Sequence, residues 1–266
     1  MAENEKNGTS HDHEVSHDTL FDGSVICGQH VEGYRFSIDS VLLAHSPTIR
    51  NEEQILDLGT GCGVIGLIMC YRHAEKNISV TGLELQSALA DLARANIFAN
   101  GYEEKFSVID GSLQDCRSLI EPESYSLVTA NPPFFSSGTG RLSSNQEAMT
   151  ARHQEVGGLS IFVEAASYSV KNRGRVIFVY PANLAVPLVY AFQENRLVPK
   201  RMQVIYSYPG IEMASLVLVE GVKNGGTGLE IMEPLYIYGY RNGPYSETVM
   251  KMYQPDYPPG HARKGR

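Results

Sequence analysis

The tetrapeptide made of Asn131, Pro132, Pro133 and Phe134 has the residue types that chemistry at a planar nitrogen requires. The lone pair of such a nitrogen is delocalised, so a site that makes it a nucleophile must accept its N–H bonds and favour a pyramidal geometry. The Asn131 side-chain carbonyl and the Pro132 backbone carbonyl can accept them, because proline has no N–H to compete. Phe134 offers a ring face for a flipped base. These four residues are the candidate catalytic set; the alternative is a rigid turn after a strand.

A glycine-rich segment follows an apolar run and ends in three alternate glycines, Gly59, Gly61 and Gly63. Glycines let the backbone turn sharply and let a ligand lie against bare amides where the next helix starts. With Gly66, the last two also match the dinucleotide pattern GxGxxG, which alone discriminates weakly. Asp57 beside the turn would repel a pyrophosphate, but it can accept a hydrogen bond from the methionine ammonium of S-adenosylmethionine. The segment therefore favours S-adenosylmethionine over NAD.

A second acid, Glu84, ends the next predicted strand, where a carboxylate can accept the ribose hydroxyls of an adenosine group. This position suits either cofactor. The alternative for both Asp57 and Glu84 is that each caps the helix that follows it.

The elements that position these groups alternate between short β-branched runs and longer amphipathic ones, a pattern typical of a parallel sheet flanked by helices. Strands are predicted at Gln54 to Leu58, Ile78 to Leu83, Phe106 to Ile109, Ser126 to Ala130 and Val176 to Tyr180. Helices are predicted at Val64 to His73, Gln86 to Asn100, Leu159 to Asn172 and Leu184 to Asn195, with Gly101 and Gly174 as C-terminal caps. Two later strands, Met202 to Tyr208 and Ser215 to Val222, have no helix between them and predict an antiparallel pair at the C-terminal edge.

The predicted fold is α/β, with a mainly parallel twisted sheet and helices on both faces. One domain is expected over residues 20–254, with a helical lead-in, between a disordered acidic tail (1–19) and a flexible basic tail (255–266). The long polar loop Phe135 to Gly158 is expected to be functional or mobile.

Composition limits the classes of function. The chain has 266 residues and a formal net charge of -8, so nucleic acid must be bound by a local patch and not by a broadly basic surface. The cysteines lack CxxC pairing, and the histidines of the first tail lack a packed surrounding, so no metal site is predicted. No apolar run approaches the roughly 20 residues that span a membrane. We expect a cytoplasmic protein without a membrane partner.

Together, the segment Gly33 to Ala44, the glycine turn and Asn-Pro-Pro-Phe resemble the class I aminomethyltransferases, whose fold is Rossmann-like. More closely, the chain is similar to the bacterial valine-tRNA adenosine N6-methyltransferases, which modify the adenosine 3′ of the anticodon. The resemblance extends from about Leu20 to Tyr253 and includes the late run Asn242 to Glu247.

The resemblance implies that Phe36 to Asp39 line the methionine end of the cofactor, whereas the residues alone predict a helix start with Ser37 as its cap. The wider class often has an Asp contacting the cofactor adenine after the third strand. This sequence departs from that pattern with Gly111-Ser112, so Asp110 and Ser112 are both candidates.

The sequence thus predicts a methyltransferase that uses S-adenosylmethionine to methylate adenine N6 in tRNA. Guanine N2 in rRNA or a protein glutamine amide fits the tetrapeptide equally, because each is a planar nitrogen with two hydrogens. An NAD-dependent oxidoreductase lacks a hydride-transfer acid here, and a non-enzymatic RNA-binding module lacks a basic stripe. The positive patch that tRNA requires is predicted from the basic residues Arg141, Arg152, Lys200, Arg201 and Arg263 to Arg266. The oligomeric state is left unknown.

Overall fold

The computed structural model describes residues 14–31, 36–133 and 158–256. Several predictions fall outside the described residues. They concern Phe134, almost all of the long loop with Arg141 and Arg152, most of the first tail, and the last ten residues with Arg263 to Arg266.

The first half of the chain alternates strands and helices after an N-terminal hairpin. Its strands are β1 (Val15–Leu20), β2 (Val25–His30), β3 (Gln54–Leu58), β4 (Ser79–Glu84), β5 (Phe106–Asp110) and β6 (Tyr125–Ala130). Its helices are α1 (Ile38–His45), α2 (Val64–Arg72), α3 (Ser87–Ala99) and the short α4 (Cys116–Leu119), which follows a 3-10 turn at Leu113–Asp115.

The second half begins with α5 (158–169). The strands β7 (Val170–Pro181), β8 (Leu197–Tyr206), β9 (Leu216–Lys223), β10 (Glu230–Ile231) and β11 (Leu235–Tyr236) follow, with a 3-10 turn at Ala182–Leu184 and the helices α6 (Ala185–Glu194) and α7 (Glu247–Tyr253).

The main sheet of the described residues runs in the order β10-β8-β9-β7-β6-β3-β4-β5, and β11 also pairs with β8. Strands β5, β4, β3, β6 and β7 are parallel, whereas β9 is antiparallel to both β7 and β8. One apolar cluster joins α1, α2 and α3 to the sheet, and a second joins α4, α5 and α6. The predicted α/β class, the helices on both faces and the antiparallel pair are confirmed.

Three details differ from the sequence-based expectations. Residues 15–19, assigned to the first tail, form β1 of a hairpin with β2, so folded structure begins earlier than residue 20. Helix α5 ends at residue 169, and the chain enters β7 at Val170. Gly174 therefore lies inside β7 and caps nothing, whereas Gly101 has a φ of 68° directly after α3, as a C-terminal cap should. The two short strands β10 and β11 lie outside β8, so the antiparallel pair is not the outermost part of the sheet.

Helix α2 approaches β5 closely because Gly66 has no side chain. A Cβ at this position would lie 2.3 Å from a ring carbon of Phe106, which is itself only 2% exposed. The third glycine of the GxGxxG pattern thus serves helix-to-sheet packing, which keeps the amino end of α2 directly behind the glycine turn.

We expect Gly66→Ala to lower the free energy of unfolding by up to about 2 kcal/mol. The added methyl overpacks the Phe106 site at a cost of about 1–3 kcal/mol, and the roughly 1 kcal/mol that alanine gains from its helix propensity offsets only part of this. Urea denaturation measures the change. Gly226→Ala is the control, since a Cβ there meets nothing within 4 Å. Equal stability of Gly66→Ala and the wild type would contradict this account of the packing.

Candidate active site

A cavity of about 360 Å³ opens at the carboxyl ends of β3, β4 and β6. Each predicted motif contributes to its lining: the glycine turn with residues 59–62, the end of β4 with residues 83–86, and Asn131 and Pro133 after β6. The rest of the lining comes from residues 112–114, Phe36, Ser40 of α1, Val64 and Ile65 of α2, Leu89 of α3, and the start of α5. Ligands of open α/β sheets bind at this edge, so the cavity is the candidate site to which the predicted motifs belong.

The glycine turn has a backbone that only glycine adopts without strain. Gly59, Gly61 and Gly63 have φ values of 68°, 58° and 84°. A Cβ on Gly59 would lie 3.2 Å from the Phe162 ring, whereas a Cβ on Gly61 would meet nothing within 4 Å. Because Gly61 lines the cavity, its bare backbone is a surface against which a ligand can lie.

Glu84 links the glycine turn to the end of β4. Its carboxylate accepts the N–H of Gly61 at 2.9 Å and that of Gln86 at 3.0 Å. The residue is 6% exposed, and that exposed part lines the cavity. A carboxylate has about four lone-pair sites, so these two bonds leave capacity for ribose hydroxyls.

Asp57 lies beneath the turn and is absent from the cavity lining. It is 1% exposed, and its two oxygens accept the hydroxyls of Thr60 at 2.7 Å and Thr129 at 2.9 Å. Burial raises the pKa of Asp57 to about 6, against the two threonine hydrogen bonds, which lower it. Gly82 makes room for Thr60, since a Cβ there would lie 2.5 Å from the Thr60 methyl. Asp57 is therefore linked to the cavity only indirectly, by its hydrogen bond with Thr60, which does line the cavity.

Asn131 is half-buried at the end of β6, and its Nδ2 donates to Ser40 Oγ at 3.2 Å. Ser40 is 3% exposed and lines the same cavity, so α1 orients the amide that the sequence singled out. Pro133 is exposed and lines the cavity, while Pro132 is buried outside the lining. The sequence missed Ser40, because the two residues are 91 positions apart.

The remaining predicted residues divide between the cavity and its surroundings. Phe36 and Ser112 line the cavity, and Ser112 Oγ accepts the Gln114 N–H at 3.2 Å. Asp110 is exposed at the end of β5, opposite Glu84 in the strand register, and is not part of the lining. Asp39 is 9% exposed on α1, also outside the lining, and burial raises its pKa. Of the two candidates for the adenine contact, the geometry favours Ser112.

The β1–β2 hairpin supports the cavity from outside, and its role was missed at the sequence level. Asn96 on α3 accepts the Gly28 N–H at 2.7 Å and donates to the Cys62 carbonyl at 2.9 Å. Gln29 Oε1 accepts the Phe36 N–H at 2.7 Å. The available signal was Asp22-Gly23, a hairpin-turn dipeptide between two strand-like runs.

Two kinds of feature are absent from the described residues. They contain no group of three or more His, Cys, Asp or Glu residues that could hold a metal ion. In the same part of the chain, no helix is long and apolar enough to cross a membrane.

Known proteins resemble this chain in sequence and in fold. The family model described as "Methyltransferase small domain" matches residues 36–201. A tRNA1(Val) (adenine(37)-N6)-methyltransferase of Porphyromonas gingivalis is 28% identical over 181 residues, which cover 66% of this chain and 69% of that protein. Proteins of the same name match at 22% identity in a Flavobacteriaceae bacterium, over 84% of this chain and 91% of that one, and at 30% in Aliivibrio fischeri, over 56% and 61%. The crystal structure of a "predicted O-methyltransferase" of Agrobacterium tumefaciens has a TM-score of 0.66 at 20% identity, covering 81% of this chain and 95% of that one, which supports the fold alone.

The buried carboxyl of Asp57 should make stability depend on pH. Its folded pKa of about 6 lies above the ordinary 3.8, so the stability it contributes is complete below about pH 4 and is lost as the pH rises through 6. Asp57→Asn cannot ionise. The difference in free energy of unfolding between this variant and the wild type should therefore change by about 1 kcal/mol, in favour of the variant, when the pH is raised from roughly 5 to 8.

Urea denaturation at the two pH values measures this difference. Asp91→Asn, on an exposed side chain of α3, controls for the loss of one carboxylate. An Asp57→Asn effect that is the same at both pH values would contradict the raised pKa.

Proposed function

Because the chain belongs to the methyltransferase small domain family, we propose that it transfers a methyl group from S-adenosylmethionine to N6 of an adenine in tRNA. The observation that carries the proposal is the position of Asn131, on the wall of the cavity that the glycine turn and Glu84 also line. A group that can hold the amine of a base thus adjoins a surface suited to the cofactor.

The residues present fit S-adenosylmethionine. Gly61 leaves an open backbone surface, and Glu84 presents a carboxylate where ribose hydroxyls need an acceptor. The lining also has apolar side chains against which an adenine ring can pack, namely Val64, Ile65, Leu85, Leu89 and Leu113. The proposal assigns no contact to Asp110, which is exposed and lies outside the lining.

When bound, the cofactor would supply an electrophilic methyl group on a sulfonium sulfur, and after the transfer that sulfur is part of a neutral thioether. The chain positions the nucleophile. The Asn131 side-chain carbonyl, on the cavity wall, would accept one N–H bond of adenine N6, and the backbone carbonyl of the buried Pro132 would accept the other, so that the N6 lone pair is free to act as the nucleophile. As the new C–N bond forms, one N6 proton is lost to solvent. No strong base is required, because N6 is positively charged directly after it is methylated and such a nitrogen loses its proton readily.

The finer assignment is to the adenosine 3′ of the anticodon in a valine tRNA. The similar proteins of Porphyromonas gingivalis and the Flavobacteriaceae bacterium carry that substrate in their names. Since their matches reach only 22–28% identity, the test must separate this nitrogen from guanine N2 and from a protein glutamine amide. We place the reaction in the cytoplasm, because the similar proteins are named as tRNA methyltransferases.

Incubation of unmodified tRNA with the protein and isotopically labelled S-adenosylmethionine tests the proposal. Mass spectrometry of the digested nucleosides should give labelled N6-methyladenosine, and it should come from valine tRNA alone among purified species. Labelled N2-methylguanosine, or label only in protein, would overturn it.

Asn131→Ala should lower kcat at least about 100-fold, because its carbonyl acts on the substrate amine mainly in the transition state. Its affinity for S-adenosylmethionine should be unchanged. Single-turnover methylation and calorimetry measure the two quantities. Asn77→Ala, at an exposed asparagine far from the cavity lining, is the matched control. Wild-type kcat in Asn131→Ala would remove this residue from the mechanism.

Glu84→Ala should weaken binding of S-adenosylmethionine by about 1.5–3 kcal/mol, the value of a charged hydrogen bond. Calorimetry measures it, with Glu103→Ala at an exposed acid as the control. Glu84 also holds the Gly61 N–H, so thermal unfolding of the variant must show that it is folded. Cofactor affinity equal to that of the control would refute the ribose contact.

A further inference from the structure

Of the predicted basic patch, Lys200 and Arg201 lie within the described residues, in β8 and three strands away from β6. Arg201 is level with Thr129 in the strand register, because it pairs with Glu220, which pairs with Ile177, the partner of Thr129. Lys200 Nζ donates to the carbonyl of Thr227 at 2.9 Å. Two side chains, one lysine and one arginine, at this distance do not by themselves hold a large substrate at the cavity. Strands β8 and β11 extend past the level of Asn131 on the same edge of the sheet, since Ile205 and Tyr206 pair with Leu235 and Tyr236.

A hairpin tip, residues 238–245, projects beyond this edge. Strand β11 is parallel to β8, and beyond its end the Tyr238 N–H donates to the Ser207 carbonyl at 2.8 Å. Tyr238 then pairs with Tyr245, and the Gly243 N–H closes a turn onto the Tyr240 carbonyl at 3.0 Å. Four strand spacings separate β6 from β11, or about 19 Å. This is the length of about six stacked nucleotides.

Stacked tyrosines hold the tip in place. The ring of Tyr245 lies between those of Tyr238 and Tyr253, with centroids 5.4 Å apart on each side and interplanar angles of 19° and 6°. Tyr245 and Tyr253 pack against the same apolar cluster as Phe36 at the cavity. The tip is therefore anchored to the side of the molecule on which α1 lines the site.

At its end the tip exposes an aromatic ring beside a cation. Tyr240 is 63% exposed, and its ring rests on the turn, since a Cβ at Gly243 would lie 2.8 Å from two of its carbons. The adjacent Arg241 is exposed and forms no ion pair within the described residues. The acid that follows the tip, Glu247, is paired with Lys251 at 2.8 Å.

We propose that the tip is a docking surface for single-stranded RNA several nucleotides away from the methylated one, with Tyr240 stacking on a base and Arg241 contacting a phosphate. The proposal rests on the proposed function and names the surface that holds its substrate. An exposed ring next to a guanidinium is what unpaired bases on a charged backbone require. Few such contacts suffice, which reconciles RNA binding with a net charge of -8.

The full-length protein and an unmodified valine tRNA transcript test the surface by fluorescence anisotropy and methylation kinetics. Tyr240→Ala should raise the Kd and the KM for RNA about tenfold, with cofactor affinity unchanged, whereas Tyr240→Phe should retain binding because it keeps the ring. The control is Tyr190→Ala on α6, whose side chain is also 63% exposed but lies on the helix that packs in the other apolar cluster.

The charge is tested separately. Arg241→Gln should reduce the salt dependence of the RNA affinity by about one unit of slope, and Arg50→Gln, at an exposed arginine ahead of β3, should not. Equal RNA affinity of Tyr240→Ala and Tyr190→Ala, in an enzyme that methylates tRNA, would overturn the docking surface alone. If the wild type yields no N6-methyladenosine in tRNA, the proposed function fails and the docking surface with it.

Discussion

The hydrogen bond from the Gly61 N–H to the Glu84 carboxylate is the constraint on which the rest of the site depends. Strands β3 and β4 end side by side, and this bond fixes the turn after one strand to the acid that ends the other. A turn with three left-handed glycines has many alternative conformations in the unfolded chain, so its ordering costs conformational entropy. The charge-assisted hydrogen bond that the Gly61 N–H donates to this nearly buried carboxylate offsets part of that cost. The ordered glycine turn lines the cavity and leads directly into the amino end of α2.

The two acids of the site, Glu84 and Asp57, differ in their access to the cavity. Glu84 reaches the cavity, whereas Asp57 is sealed beneath the turn and bonds to Thr60 and Thr129. Thr129 is the partner of Asp57 in the strand register, so the buried acid also connects β3 to the strand that carries Asn131. A buried carboxylate is costly near neutral pH. Here it holds the glycine turn, through Thr60, and the strand that leads to Asn131, through Thr129, in one arrangement.

The sequence predicted most of the central fold because its signals are local. The boundaries of β3 follow from an apolar run that stops at Gly59, and α2 begins where the last alternate glycine allows the chain to turn. The sequence assigned both Asp57 and Glu84 to direct cofactor contacts, the methionine ammonium and the ribose hydroxyls, because both acids lie near strand ends. Only the packing shows that Glu84 faces the cavity and Asp57 does not. Nor did it find Ser40, because that contact joins segments brought together only by the whole fold.

The N-terminal hairpin shows why a weak local pattern can still define an essential element. Its β1 strand is mostly exposed and mixes charged with apolar residues, so nothing in it resembles a buried strand. Its stability comes from contacts with residues that line the cavity or lie next to them: Gln29 with Phe36, and Gly28 with the Asn96 side chain that also holds Cys62. The hairpin and the cavity wall are therefore mutually dependent, since the wall supplies the partners for the hairpin's buried polar groups. The hairpin and the cavity wall therefore become ordered together, although none of the hairpin's described residues lines the cavity.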